Sequence, residues 1–162
     1  VDAKGAPVAG ALIEAYSSPS KNPSDVLVVY TQTDSFGHTK IAYNPGCLGF
    51  FKIIAYKGCS SNDFTENQAN VNRFIKSNSH VTCILKETST IVLKSNSNLR
   101  NSIFLNGQYL FDMDDKSTKS ITVLAKDNEI RVIESNFLIS SPLEKTYDIT
   151  SQCGDIKVLE FQ

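Results

Sequence analysis

Apolar and polar residues alternate with period two along most of this chain, and Gly, Pro, Asn, Asp and Ser interrupt the alternation at short intervals. That pattern predicts short strands joined by turns. In residues 11–16, Ala11, Ile13 and Ala15 share one face of a pleat, and Leu12, Glu14 and Tyr16 share the other. The first face suits a core. Residues 17–25 contain two prolines and no apolar side chain, which predicts a loop. Residues 26–33 are β-branched and aromatic and predict a strand that passes from core to edge. At 34–37 the chain is expected to turn, with Asp34 bonding back to the backbone and Gly37 supplying positive φ. A second turn is expected at Asn44, Pro45 and Gly46, before residues 50–57, the most hydrophobic and therefore central strand.

Between residues 60 and 79 two periods compete. Phe64, Gln68, Val71 and Ile75 fall at helical spacing behind a possible Asn62 cap. The turn chemistry of Ser77, Asn78 and Ser79 and the alternation of 80–86 favour a hairpin instead, with strands at 70–76 and 80–86. The pattern restarts after residue 88. A strand at 90–94 and a polar run at 95–102 lead to residues 103–111, where Asn106-Gly107 between apolar arms is the strongest hairpin signal in the chain. Further strands are expected at 119–125, 129–134, 145–150 and 156–161.

The stretches VDAKGAPVAGALIEAY from Val1, TQTDSFGHTKI from Thr31 and NPGCLGFFKIIAYKG from Asn44 occur in this order. Together they resemble the carboxypeptidase regulatory-like, Cna-B and transthyretin-like β-sandwich families over the first half of the chain. The resemblance implies an all-β fold, which we extend to two immunoglobulin-like or transthyretin-like β-sandwich domains in series, at 1–88 and 89–162. It carries little chemistry, because such modules serve as stalks, adhesin spacers, filament subunits and enzyme appendages. Cna-B modules often hold a lysine–asparagine isopeptide bond promoted by a buried acid. Here Ile53, Ile54 and Ala55 stand where that acid is usual, and Glu14 is on the wrong strand, so no such bond is expected. These families also place a full strand before the first turn, where this chain has only Val1 and Asp2. Such a gap would leave a groove that either upstream residues or a neighbouring subunit's strand could fill.

Charge then narrows the partners. A formal net charge of −1, with scattered Lys and Arg, argues against nucleic-acid binding. No apolar run approaches the ~20 residues needed to span a bilayer, and no leader is recognisable, so a soluble or already processed chain is expected. Cys47, Cys59, Cys83 and Cys153 form an even set without C-x-x-C spacing, which favours disulfides over zinc. An extended 50–57 strand separates Cys47 from Cys59 by tens of ångströms at ~3.3 Å per residue. Alternating antiparallel strands would bring Cys59 to Cys83 at one pole, and Cys47 and Cys153 would then pair only if the domains pack side by side or if two subunits are cross-linked. None of the thirteen Asn lies in a usable glycosylation sequon, which favours a microbial over a eukaryotic surface.

Candidate chemistry is sparse. His38 and His80, the only histidines, lack ligand neighbours and are expected on strand surfaces. Asp112, Asp114 and Asp115 begin like a calcium loop, but Lys116 replaces an oxygen ligand and the later Gly and Glu are missing. A solvated loop is the better reading. No catalytic signature or cofactor motif is present, so no enzyme activity and no cofactor are expected. The expectation is an extracellular structural protein, a filament, pilus-type or adhesive subunit with homo-oligomeric neighbours. The rival is a ligand- or carbohydrate-binding appendage, in which Tyr43, Tyr56 or Tyr109 would stack on sugar rings.

Overall fold

The computed structural model describes residues 1–18, 26–42, 50–68, 72–74, 79–135 and 142–162. The chain forms two compact units, Val1–Glu87 and Thr88–Gln162. Every regular element in the described residues is a strand except one 3-10 turn, Thr65–Asn67. No described helix is long and apolar enough to cross a membrane.

In unit 1, β1 (Leu12–Ser18) lies between β2 (Val26–Gln32) and β3 (Phe50–Lys57), antiparallel to both. β3 also pairs with β4 (Ser60–Ser61) and β5 (Asn72–Phe74). Residues Ser60 and Ser61 pair in turn with Glu87 and Lys86, the first residues of β6 (Lys86–Ser95). The predicted alternation holds: Ala11, Ile13 and Ala15 are buried, and Ile53 and Ala55 join them from β3. Among the described residues β2 lies at one end of the strand order.

The expected second hairpin does not form as drawn. Residues 79–85 carry no strand; β6 begins only at Lys86. The alternation of 80–86 sorts side chains by face, but a ladder also needs a partner edge, and for residues 79–85 Val1 supplies a single described rung. Its ammonium donates to the Cys83 carbonyl at 2.9 Å, and its carbonyl accepts from the Leu85 N–H at 2.8 Å. Bonding to j−1 and j+1 in this way is a single parallel rung. Among the described residues of unit 1, no second sheet covers the Ala11, Ile13, Ala15 face; residues 79–85 pack there instead through Val81, Cys83 and Leu85.

Of the helical spacing at 60–79, Val71 and Ile75 lie outside the described residues, and the described part holds the short 3-10 turn Thr65–Asn67. Asn62 caps no helix. It is buried, its side-chain oxygen accepts from the Ala55 N–H at 2.7 Å, and its amide donates to the Ile53 carbonyl at 3.0 Å. A side chain thereby does what a further strand residue would do along β3.

Unit 2 contains the rest of β6 together with β7 (Arg100–Leu105), β8 (Gln108–Met113), β9 (Thr118–Leu124), β10 (Asp127–Ser135), β11 (Leu143–Thr150) and β12 (Ile156–Phe161). β6 is flanked by antiparallel β9 and parallel β12, while β11, β10, β7 and β8 form a four-stranded antiparallel sheet. One buried cluster draws on both sheets: Ile91 and Leu93 from β6, Ile121 and Val123 from β9, Ile103 and Leu105 from β7, Ile130 and Val132 from β10. The sheets therefore pack face to face as a sandwich. Burying each such side chain is worth about 1.5–3 kcal/mol. Asn106 and Gly107 adopt φ of 50° and 81°, the doubly positive turn the sequence predicts between β7 and β8.

Candidate functional site

Unit 1 carries a cavity of about 530 Å³ on the buried face of its sheet. Small side chains make it. Ala11, Ala15 and Ala55 supply only methyl groups at inward positions, where unit 2 places Ile, Leu or Val, so the segments that cover the sheet cannot close on it. Ile13, Ile53 and Leu85 complete an apolar floor, and Val1, Val8, Ile41 and Val81 form the sides. The rim is polar and open to solvent: His38, His80 and Thr82 are all exposed.

Two Asp-centred turns hold the walls. The Asp34 carboxylate accepts from the N–H groups of Phe36 and His38, each at 2.9 Å. The His38 bond foremost holds its pKa below the usual carboxylate value, with burial opposing. Asp2 does the same for the first turn, accepting from Ala6 at 2.8 Å and Lys4 at 2.9 Å, and the Ala6 bond is the main cause of its lowered pKa. Gly37 has φ of +73°, and a Cβ there would lie 2.9 Å from the Val8 nitrogen, so the two turns touch through a position only glycine fits. Thr33 links them to the sheet: its hydroxyl donates to the Val8 carbonyl at 2.6 Å and accepts from the Ala11 N–H at 2.9 Å.

The residues singled out from sequence scatter. His38 and His80 are surface residues, but neither is on a strand, and both reach the groove rim. Asp112 sits on β8 and is held by Arg100 at 3.1 Å and by the Ser102 hydroxyl at 2.7 Å. Asp114 and Asp115 lie beyond it in the turn toward β9, and among the described residues no group of three or more His, Cys, Asp or Glu is placed to hold a metal. Tyr109 is half exposed and meets Phe104 edge to face at 5.6 Å, while Arg131 stacks over Phe104 at 4.3 Å. Tyr43 lies outside the described residues.

The cysteine pairing is corrected. Cys59 and Cys153 are disulfide-bonded, and Cys83 keeps its thiol. The expected Cys59–Cys83 bridge assumed a terminal strand at 80–86; instead Cys83 packs against the Ala11 and Ile13 face, while Cys59 sits in the tight turn between β3 and β4. Cys47, and with it the expected Cys47–Cys153 pair, lies outside the described residues.

Sequence reasoning gave Asn62 and Leu85 other roles, a helix cap and a strand position, and missed that Asn62 bonds the β3 backbone and that Leu85 lines the cavity. The alternating alanines at 11, 15 and 55 were a legible signal of spare room. On the opposite face of the same sheet, the Glu14 carboxylate accepts from the Tyr16 hydroxyl at 2.6 Å and the Tyr56 hydroxyl at 3.0 Å. The Glu14 hydrogen bond is the main cause that raises the Tyr56 pKa to about 12, followed by burial, with Tyr30 contributing further. No family model matches the chain, and neither a curated protein nor a solved structure shows a significant match.

Proposed function

We propose that this chain is a non-enzymatic extracellular structural protein of a microbial surface, a filament, pilus-type or adhesive subunit that assembles by accepting a strand into unit 1. On this reading the units are transthyretin-like or immunoglobulin-like modules. The observation that carries it is the groove with its single backbone rung. Val1 already pairs in parallel with residues 83 and 85, so a strand continuing that line would lie beside residues 79–83 and cover the alanine face. A neighbouring subunit is the donor in this proposal. The disulfide-bonded Cys59 and Cys153 support an oxidising compartment.

Electron microscopy and sedimentation of concentrated protein test assembly. Assemblies are expected, and Thr82→Glu, which puts a charge at the exposed rim, should dissolve them while leaving the circular dichroism spectrum unchanged. A protein that stays monomeric at every concentration, or assemblies indifferent to Thr82→Glu and to Val81→Asp, would contradict the proposal.

One observation favours the rival, a ligand- or carbohydrate-binding appendage of a larger secreted protein or enzyme: 530 Å³ lies within the ~300–1,000 Å³ typical of small-molecule sites. A glycan array and a hydrophobic-ligand screen, with Thr82→Glu abolishing any hit, would promote that reading over assembly.

A further inference from the structure

We propose that the sheet face opposite the groove, where Tyr16, Tyr30 and Tyr56 surround the Glu14 carboxylate, is a binding site for an organic ammonium group. The register sets the geometry. Glu14 on β1 is directly opposite Tyr30 on β2 and Ile54 on β3; Tyr56 is opposite Leu12, one pleat along; Tyr16 follows Glu14 on the same face of β1. Glu14 is thus the centre of a half-buried platform whose neighbours across and along the strands are aromatic or aliphatic.

Two features select a cation. First, the carboxylate has no ion-pair partner among the described residues. Lys52, the near candidate opposite Tyr16, turns to Asp63 at 3.8 Å. Glu14 instead accepts two phenolic hydroxyls, one on each oxygen, which leaves about two lone-pair sites for a donor from outside. Phenols orient a carboxylate without cancelling its charge, so the site keeps a full negative centre. Second, the rings carry electron-rich faces, and an alkylated ammonium gains from such faces while shedding little hydration. Tyr30, at 58% exposure, is the accessible wall, and the hydroxyl bonds of Tyr16 and Tyr56 hold the other two rings before any ligand arrives. A neutral sugar would use the rings but not the charge; an anion would be repelled.

The chain has six Tyr and no Trp, so its intrinsic fluorescence reports tyrosine directly. Titration with choline chloride is compared with 3,3-dimethylbutan-1-ol, the uncharged isostere of the same shape, and with N-acetyl-lysine amide. Saturable binding of choline but not of the alcohol is expected, weakened roughly tenfold or more by Glu14→Gln and by Tyr30→Leu, with both variants keeping the wild-type far-UV spectrum. A stronger response to the lysine amide than to choline would identify the source of the ammonium as a protein side chain. Equal responses to choline and the alcohol, no response to either cation, or binding that survives both substitutions would overturn the proposal. Assembly through the groove is read separately by Thr82→Glu, so each idea can fail alone.

Discussion

Units 1 and 2 use the same strand alphabet and reach different interiors. In unit 2, alternate inward positions hold Ile, Leu and Val from two sheets, and the cluster is sealed: Ile91, Leu93, Ile103, Leu105, Val123 and Ile130 have no exposed surface. In unit 1, the inward positions are Ala11, Ile13, Ala15, Ile53 and Ala55, and a cavity of about 530 Å³ remains above them. Period-two alternation sets which face is apolar in both. Side-chain volume on that face then decides whether the face closes into a core or stays as a groove.

The sharpest way to break this contrast is to truncate one leucine in each unit. Leu93→Ala empties a sealed site and is expected to cost toward the upper end of ~2–5 kcal/mol, whereas Leu85→Ala at the cavity wall should cost near the lower end, because space already exists beside it. Urea denaturation of the two variants measures both, and equal losses would mean that unit 1 is as tightly packed as unit 2.

Next in size is Asn62→Ala. It leaves the Ala55 N–H and Ile53 carbonyl without their partner at a buried position, which should cost ~1–3 kcal/mol. An Asn62→Asp variant should lose less at the N–H and more at the carbonyl, since a carboxylate accepts but does not donate. A loss for Asn62→Ala below about half a kcal/mol would show that the side chain is not completing β3.

Enlarging a residue should separate the units with a smaller signal. Ala15→Val points a larger side chain toward the cavity and is expected to change stability by less than about 1 kcal/mol, while Val123→Ile in the sealed core should cost ~1–3 kcal/mol through overpacking. Comparable destabilisation by both substitutions would argue against usable space in unit 1.

The smallest effect is on pH dependence, to which Asp155 and Glu160 of unit 2 also contribute through lowered pKa values, so the unit 1 share is read by substitution. Asp34 and Asp2 have folded-state pKa values lowered by backbone donors, so their contribution is present in full above the unfolded value of about 3.9 and is lost as pH falls through the folded value. Melting temperature is therefore expected to drop between about pH 4 and the acid limit. Asp34→Asn keeps the accepting oxygen but cannot ionise, so it should flatten that slope without altering the neutral-pH fold. An unchanged slope in Asp34→Asn would remove Asp34 from the account.

The sequence by itself determined the class of fold, most strand positions, the face each strand buries and the chemistry of its tight turns. Alternation, the Asn106-Gly107 signal and the Asp34 to Gly37 turn are local properties, set by φ/ψ preference and by side-chain direction within a few residues. Tertiary structure decided what depends on partners far along the chain. Residues 80–86 alternate like a strand, yet among the described residues 79–85 carry no strand, and Val1 gives them a single backbone rung. Asn62 carries the marks of a helix cap, but the bare edge of β3 claims its side chain first. The Cys59–Cys83 expectation failed for the same reason, because a disulfide needs two Cβ atoms within a few ångströms and no pattern along one dimension fixes that distance. The tyrosines around Glu14 stand 2, 16 and 42 residues from it, and only the register of β1, β2 and β3 brings them together.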